Sequence, residues 1–195
     1  MFKLIYMKRI IKSLLTRFNC AIFKIPYKKG LYIGYASKIT GCNISIEEKV
    51  SIMPYSMIVS LDNGRIEIGE GSTISMFSRI GSVGYVKIGK DIEMGPNCFI
   101  ADFNHEYRDI SLPIKTQGKS FRPLKKGVPN IYIGDGSWLD THVVIVGNIN
   151  IGKHCVIGAN SVVTKDIPDY CVAVGSPARI IKKYNHDKGK WENVL

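Results

Sequence analysis

An aliphatic side chain returns every six residues through most of this chain, and neither a helix nor a lone strand has that period. The positions are Ile33, Ile39, Ile46, Ile52, Ile58, Ile68, Ile74, Ile80, Ile88, Met94, Ile100, Ile133, Leu139, Ile145, Ile151, Ile157 and Val163. Fourteen of the seventeen are Ile, and twelve of the sixteen steps are six residues long. Gly follows directly in eight cases: Gly34, Gly69, Gly81, Gly89, Gly95, Gly134, Gly152 and Gly158. Four residues after the aliphatic one comes a small or β-branched residue, as at Ser72, Ser78, Cys98, Ser137, Val143, Cys155 and Ser161. Short strands joined by tight turns and stacked into a solenoid meet this pattern. Gly is expected to take the unusual dihedrals of the turns.

The remaining features are set around that body. A length of 195 residues suits one domain with short appendages. The formal net charge of +11 points first to nucleic acid, but its distribution excludes that reading. Residues 1–46 carry nine basic residues and no acidic one, leaving 18 of the 27 basic residues against 16 acidic ones in the rest. Within residues 2–25, Leu4, Met7, Ile11, Leu14, Leu15, Phe18 and Ile22 recur at helical spacing, and Pro26 ends the pattern. Lys3, Lys8, Lys12 and Arg17 fall largely between them. Such a helix either lies on an anionic membrane or packs its apolar stripe on the end of the domain. No run of apolar residues is long enough to cross a bilayer. The five cysteines lie far apart and read as buried thiols of a cytoplasmic protein, not a disulfide framework.

The period lapses between Ile100 and Ile133, and a long excursion from a regular scaffold is a usual place for function. The excursion, a protruding loop over 103–129, holds His105 with Asp102, Asn104 and Glu106 beside it. Six basic residues follow: Arg108, Lys115, Lys119, Arg122, Lys125 and Lys126. His142 and His154 stand at turn positions of regular hexads and read as exposed scaffold residues. Cys98 and Cys155 fall on the inward small position and read as core thiols.

Over residues 33–168 the pattern [Ile/Leu/Val]-Gly-x-x-small-x resembles the hexapeptide-repeat acyltransferases, and most closely their sugar and polysaccharide acetyltransferases. The resemblance implies an all-β fold: a left-handed parallel β-helix of five to six coils, assembled as a homotrimer. Residues 1–32 form a basic amphipathic segment before it and 169–195 a C-terminal loop ending in a short helix over ARIIKKY. The matching segment, D-x-N-H as a loop leaves a coil, makes His105 the general base, with Asp102 as a group that orients it and Asn104 and Arg108 as acceptor contacts. Imidazole suits removal of a hydroxyl proton at neutral pH. A backbone N–H is the simplest donor to the developing oxyanion, and the family places it after a Trp, here at Thr141 after Trp138. Asp140 stands where the family has Gly.

The ending IGANSVVTKDIP…GSPAR matches the family's coenzyme A site. Gly158, Ala159 and Thr164 would offer backbone contacts, Trp138 would pack near the acetyl end, and Lys165 and Arg179 would approach phosphates. The activity so implied is direct O-acetylation of a sugar or polysaccharide precursor from acetyl-CoA, on an acceptor that a lipid could carry. An amino-sugar N-acetyltransferase and a non-catalytic solenoid scaffold are the alternatives. A zinc enzyme of this fold is disfavoured, because the partner imidazole expected a few residues after His105 is replaced, with Ile110 five residues on. No metal is expected.

Overall fold

The computed structural model describes residues 2–194, with side chains from residue 10 onward. Leu4 and Met7 of the apolar set, and Lys3, Lys8 and Arg9 of the basic set, therefore have side chains outside the described residues. One helix, α1 (Phe2–Phe23), precedes short strands that form three parallel walls. The first wall stacks Tyr32–Ile33, Ser51–Ile52, Thr73–Ile74, Glu93–Met94, Trp138–Leu139, Val156–Ile157 and Cys171–Val174. The second stacks Lys38–Thr40, Met57–Ser60, Arg79–Ser82, Phe99–Ala101, Val144–Val146 and Val162–Val163. The third stacks Ile44–Ile46, Arg65–Ile68, Tyr85–Ile88, Ile131–Ile133 and Ile149–Ile151, with a last bridge from Ile151 to Ile167.

The solenoid makes about seven turns, more than the five to six that the seventeen aliphatic positions account for. Ile167 comes only four residues after Val163, so the phase slips, and the small Ala173 then opens the last turn. Ile52 sits on Ile74, Ile58 on Ile80 and Ile46 on Ile68, all of them buried. Each such side chain contributes roughly 1.5–3 kcal/mol by leaving water.

Glycine acts differently from the sequence expectation. The left-handed backbone falls three residues after the aliphatic position, at Tyr55, Phe77, Asn97, His142, His154 and Asn160 among others, while the glycines directly after it have no positive φ. Those glycines are required by close approach between coils. A β carbon on Gly134 would lie 2.5 Å from the Gly152 carbonyl carbon and the Lys153 nitrogen of the next coil. The inward serines fasten the corners: Ser72 Oγ donates to the Gly89 carbonyl at 2.8 Å and accepts from Ile92 N–H at 3.0 Å. Ser137 repeats this with Gly152 and Cys155, at 3.0 and 2.9 Å.

Both ends are covered: α1 lies on the end of the domain, one of the two expected places, but in an unexpected rotation, and the other end is closed by a different element from the one expected. At the start, α1 turns its polar side to the first coil. Thr16 Oγ1 accepts the Ile33 N–H at 3.2 Å, Asn19 Nδ2 donates to the Ile33 and Gly34 carbonyls at 3.1 and 3.3 Å, and Cys20 is buried. Most of the apolar stripe does not pack on the domain: Ile11, Leu14, Phe18 and Ile22 are 55–64% exposed, while Leu15 is half-buried. At the other end the expected ARIIKKY helix is a strand, Arg179–Asn185, antiparallel to Cys171–Val174 and followed by a second antiparallel strand, Lys190–Asn193. An open sheet edge presents unpaired backbone groups, and a strand pairs with them where a helix cannot.

Gly134→Ala is expected to lower unfolding free energy by about 1–3 kcal/mol, the usual range for forced overpacking. Urea unfolding followed by circular dichroism checks it.

Candidate active site

The excursion leaves the second wall after Ala101 and rejoins the third at Ile131. It therefore stands on the corner between those walls. Asp102, buried at its root, accepts from Ser82 Oγ at 2.8 Å, Val83 N–H at 2.9 Å and Gly84 N–H at 3.0 Å. Its carboxylate thus fastens the loop to the coil below, and among the described residues no hydrogen bond joins it to the His105 ring. Asn104–His105 pairs antiparallel with Lys119–Ser120, so His105 rides on a short hairpin stem and its ring is exposed. Asn104 Oδ1 accepts the His105 N–H at 2.9 Å. Arg108 is tied to Glu106, its Nε 2.8 Å from Oε1, and this pairing holds the Glu106 carboxyl down at about 2.

Two further residues, Lys119 and Asn130, tie the loop to the coils on either side. Lys119 Nζ meets Asp62 Oδ2 at 2.9 Å. Asn130 accepts the Tyr85 N–H at 3.1 Å and donates to the Arg122 carbonyl and Asn148 Oδ1, both at 2.9 Å. Beneath the loop lies a groove of about 720 Å³ lined by Asn43, Asn63, Arg65, Glu67, Tyr85 and Phe121, among others. Arg65 lies 4.7 Å from the centre of the Tyr85 ring, and Tyr85 Oη donates to Glu67 at 2.7 Å. Burial first, then Glu67, pushes the Tyr85 hydroxyl up to about 12. Sequence reasoning missed this groove, because its residues come from outward positions of three separate coils and from the loop. Only the phase of the repeat, extended to those outward positions, carried the signal.

The other candidates divide between two corners. Thr164 and Lys165 are exposed on the same corner as His105, two strands further along the second wall. Thr141, Gly158 and Ala159 lie on the opposite edge of that wall, where the first wall passes into the second. Trp138, 45% exposed, projects from the first wall between Glu93 and Val156. Arg179 is exposed at the start of the terminal hairpin. The three-residue strand Val144–Val146 separates the two edges by about 10 Å. Thr141 N–H is engaged by Asp140 Oδ1 at 2.7 Å, and Thr141 Oγ1 donates to the Pro96 carbonyl at 3.1 Å. His142 and His154 occupy left-handed turn positions, and the His154 ring stacks on Tyr170. Cys98 and Cys155 are buried, and burial pushes both thiols up to about 11.

The architecture is thus a three-walled solenoid of six-residue repeats with an exposed histidine on a corner loop. The family model described as bacterial transferase hexapeptide (six repeats) matches residues 130–165. An Escherichia coli protein assigned to lipopolysaccharide biosynthesis as an O-acetyl transferase is 35% identical over 133 residues, 67% of this chain and 67% of its own length. A Mycobacterium tuberculosis protein assigned as an acetyltransferase is 34% identical over 119 residues, 61% of this chain but 37% of its own length. A solved galactoside acetyltransferase in complex with coenzyme A superposes with a TM-score of 0.57 at 25% identity, over 82% of this chain and 65% of that one. The chain belongs to the hexapeptide-repeat acetyltransferase family.

Two outcomes follow from the local chemistry. Asp102→Ala is expected to cost about 1–3 kcal/mol of stability, since Val83 and Gly84 lose their acceptor; thermal unfolding reads it. In the native protein a thiol reagent should modify Cys42 quickly and Cys98 and Cys155 only after denaturation. Mass spectrometry before and after denaturant measures that order.

Proposed function

We propose that the protein is an acetyl-CoA-dependent O-acetyltransferase acting on a saccharide hydroxyl, with His105 as general base. The observation that carries this reading is the exposed His105 on a loop fastened to the scaffold at Asp102, Lys119 and Asn130, the same loop whose Phe121 and Asn130 line a polar groove. In the groove, amides and a carboxylate match the donors and acceptors of a sugar, while the Tyr85 and Phe121 rings offer apolar surface.

His105 takes the proton of the acceptor hydroxyl as that oxygen attacks the thioester carbonyl carbon. The tetrahedral oxyanion collapses, the C–S bond breaks, and the imidazolium returns the proton to the departing thiolate. Asp102 positions the ring by holding the stem, not by touching it. Thr141 N–H can receive the oxyanion once Asp140 releases it. No covalent acyl-enzyme is needed, and the raised thiols of Cys98 and Cys155 suit none.

The residues fit coenzyme A. Lys165 and Arg179 are exposed cations that form no ion pair among the described residues, as phosphates require, and Ala159 is exposed, while the Gly158 N–H is engaged by the Ala173 carbonyl. Acetyl-CoA supplies the activated acyl group. His105 and Thr141 stand on opposite edges of the second wall, with Trp138 on the first wall beside Thr141, so the site is completed when the edges of neighbouring copies meet. A homotrimer, with one crevice per pair of neighbours, closes this arrangement.

His105→Ala should lower kcat/KM by about 10²–10⁴-fold in acetyl-CoA turnover with a sugar panel, with stabilisation by coenzyme A retained. A folded variant with full activity overturns the assignment. Asn63→Ala should raise the acceptor KM and leave the acetyl-CoA KM unchanged, as loss of uniform acceptor binding requires.

A further inference from the structure

The geometry points to α1 as a docking element that lies on an anionic lipid surface, with its outward apolar stripe in the bilayer interface. At about 100° per residue, Ile11, Leu14, Phe18 and Ile22 fall within an arc of about 80°. The centre of that arc is about 180° from Thr16 and Cys20, the residues that hold the helix to the first coil. Capping and exposure are thus opposite faces of one helix. The four stripe residues are each more than half exposed, with Ile10 beside them at 42%.

Charge selects the occupant. The segment before Glu47 contains nine basic residues and no acidic one. Lys12 and Arg17 are exposed and held by cation–π contacts to Tyr32 and Tyr27 at 5.1 and 4.8 Å, and Lys24 and Lys29 are exposed further on. A second copy of α1 laid on the stripe would bring these cations against their own kind. An anionic head-group layer answers both the stripe and the charge.

The orientation has a consequence for the groove. It begins at Asn43 in the first coil, and the His105 stem leaves the fourth strand of the second wall. That strand lies about 14 Å further from the helix, at strand spacings of about 4.8 Å. Where the groove holds the acceptor, as proposed above, its first-coil end is the end nearer the docked surface, which suits a saccharide anchored to lipid.

The test uses the full chain and does not depend on turnover. Cosedimentation with vesicles of phosphatidylcholine alone, and of phosphatidylcholine with phosphatidylglycerol, is measured at low and high salt. The wild type should pellet with the anionic vesicles and be partly released by salt. Leu14→Glu with Phe18→Glu should weaken that binding about tenfold or more, with unchanged melting temperature and solution mass. A Leu14→Ser, Phe18→Ser pair gives the same readout if the glutamates impair folding. Vesicle binding that survives either pair, or that is missing in the wild type, overturns the proposal. So does a fall in solution mass on substitution, since a second copy would then be what covers the stripe.

Discussion

Backbone hydrogen bonding between successive coils, kept in register by an interior column of isoleucines, is the constraint that everything else in this molecule obeys. Each coil supplies donors and acceptors to the next, as in Tyr32 N–H to the Val50 carbonyl and Ser51 N–H to the Ser72 carbonyl, both at 2.9 Å. The inward Ile, Leu or Met fixes the pairing, because a slip of one residue would turn it outward. Coils this close leave no room for a β carbon at Gly34, Gly69, Gly89, Gly134 or Gly152, where the nearest atom of the next coil would be 2.3–2.5 Å away. The interior is spent on this packing, and the groove under the loop is lined from outward positions. Chemistry is therefore confined to outward positions, corners and insertions.

That confinement explains the layout of the candidate site. A corner can carry a long insertion without disturbing the stack, because the chain there is already turning between walls. The insertion after Ala101 uses this freedom, and Asp102, itself in the corner, takes over amides of Val83 and Gly84 that a regular coil would have paired otherwise. A rigid prism also fixes distances. His105 and Thr141 occupy opposite edges of the second wall, and no motion of a wall made of paired strands brings them together. The same rigidity means that a site using both groups, as proposed, would take them from neighbouring copies.

The repeat was readable because it is written in residue types that the interior demands, Ile above all, at a period that no other structure shares. The excursion that carries His105 was readable because it interrupts that period. What escaped was carried by geometry rather than by residue type. Gly after the aliphatic position was assigned to the turn, while the turn's left-handed residue is two positions later and is filled by Asn, His, Asp, Lys or even Tyr55 and Phe77. Asp102 near His105 in sequence suggested contact, but the Asp102 carboxylate is buried at the root on Ser82, Val83 and Gly84, while His105 is exposed on the stem. The groove was invisible because Asn43, Asn63 and Tyr85 are far apart in sequence and ordinary in type. ARIIKKY has the composition of a helix terminus; the unpaired edge of Cys171–Val174 decided otherwise.

The N-terminal helix shows the same edge requirement acting on a pattern that hydrophobicity alone misreads. An amphipathic helix beside a hydrophobic core ordinarily turns its apolar stripe inward. Here the end of the solenoid offers α1 backbone groups of Ile33 and Gly34 with no coil below to pair with. A buried N–H or carbonyl left without a partner costs more than a single side chain gains by leaving water only in part. Thr16 and Asn19 satisfy those groups, Cys20 seals the gap between them, and the helix is thereby fixed in rotation. With its polar side committed to the cap, the stripe of Ile11, Leu14, Phe18 and Ile22 has only the outside left to face. Its exposure is the other side of the bargain that closes the solenoid, and the absence of any acidic residue before Glu47 keeps that outward face cationic at its margins.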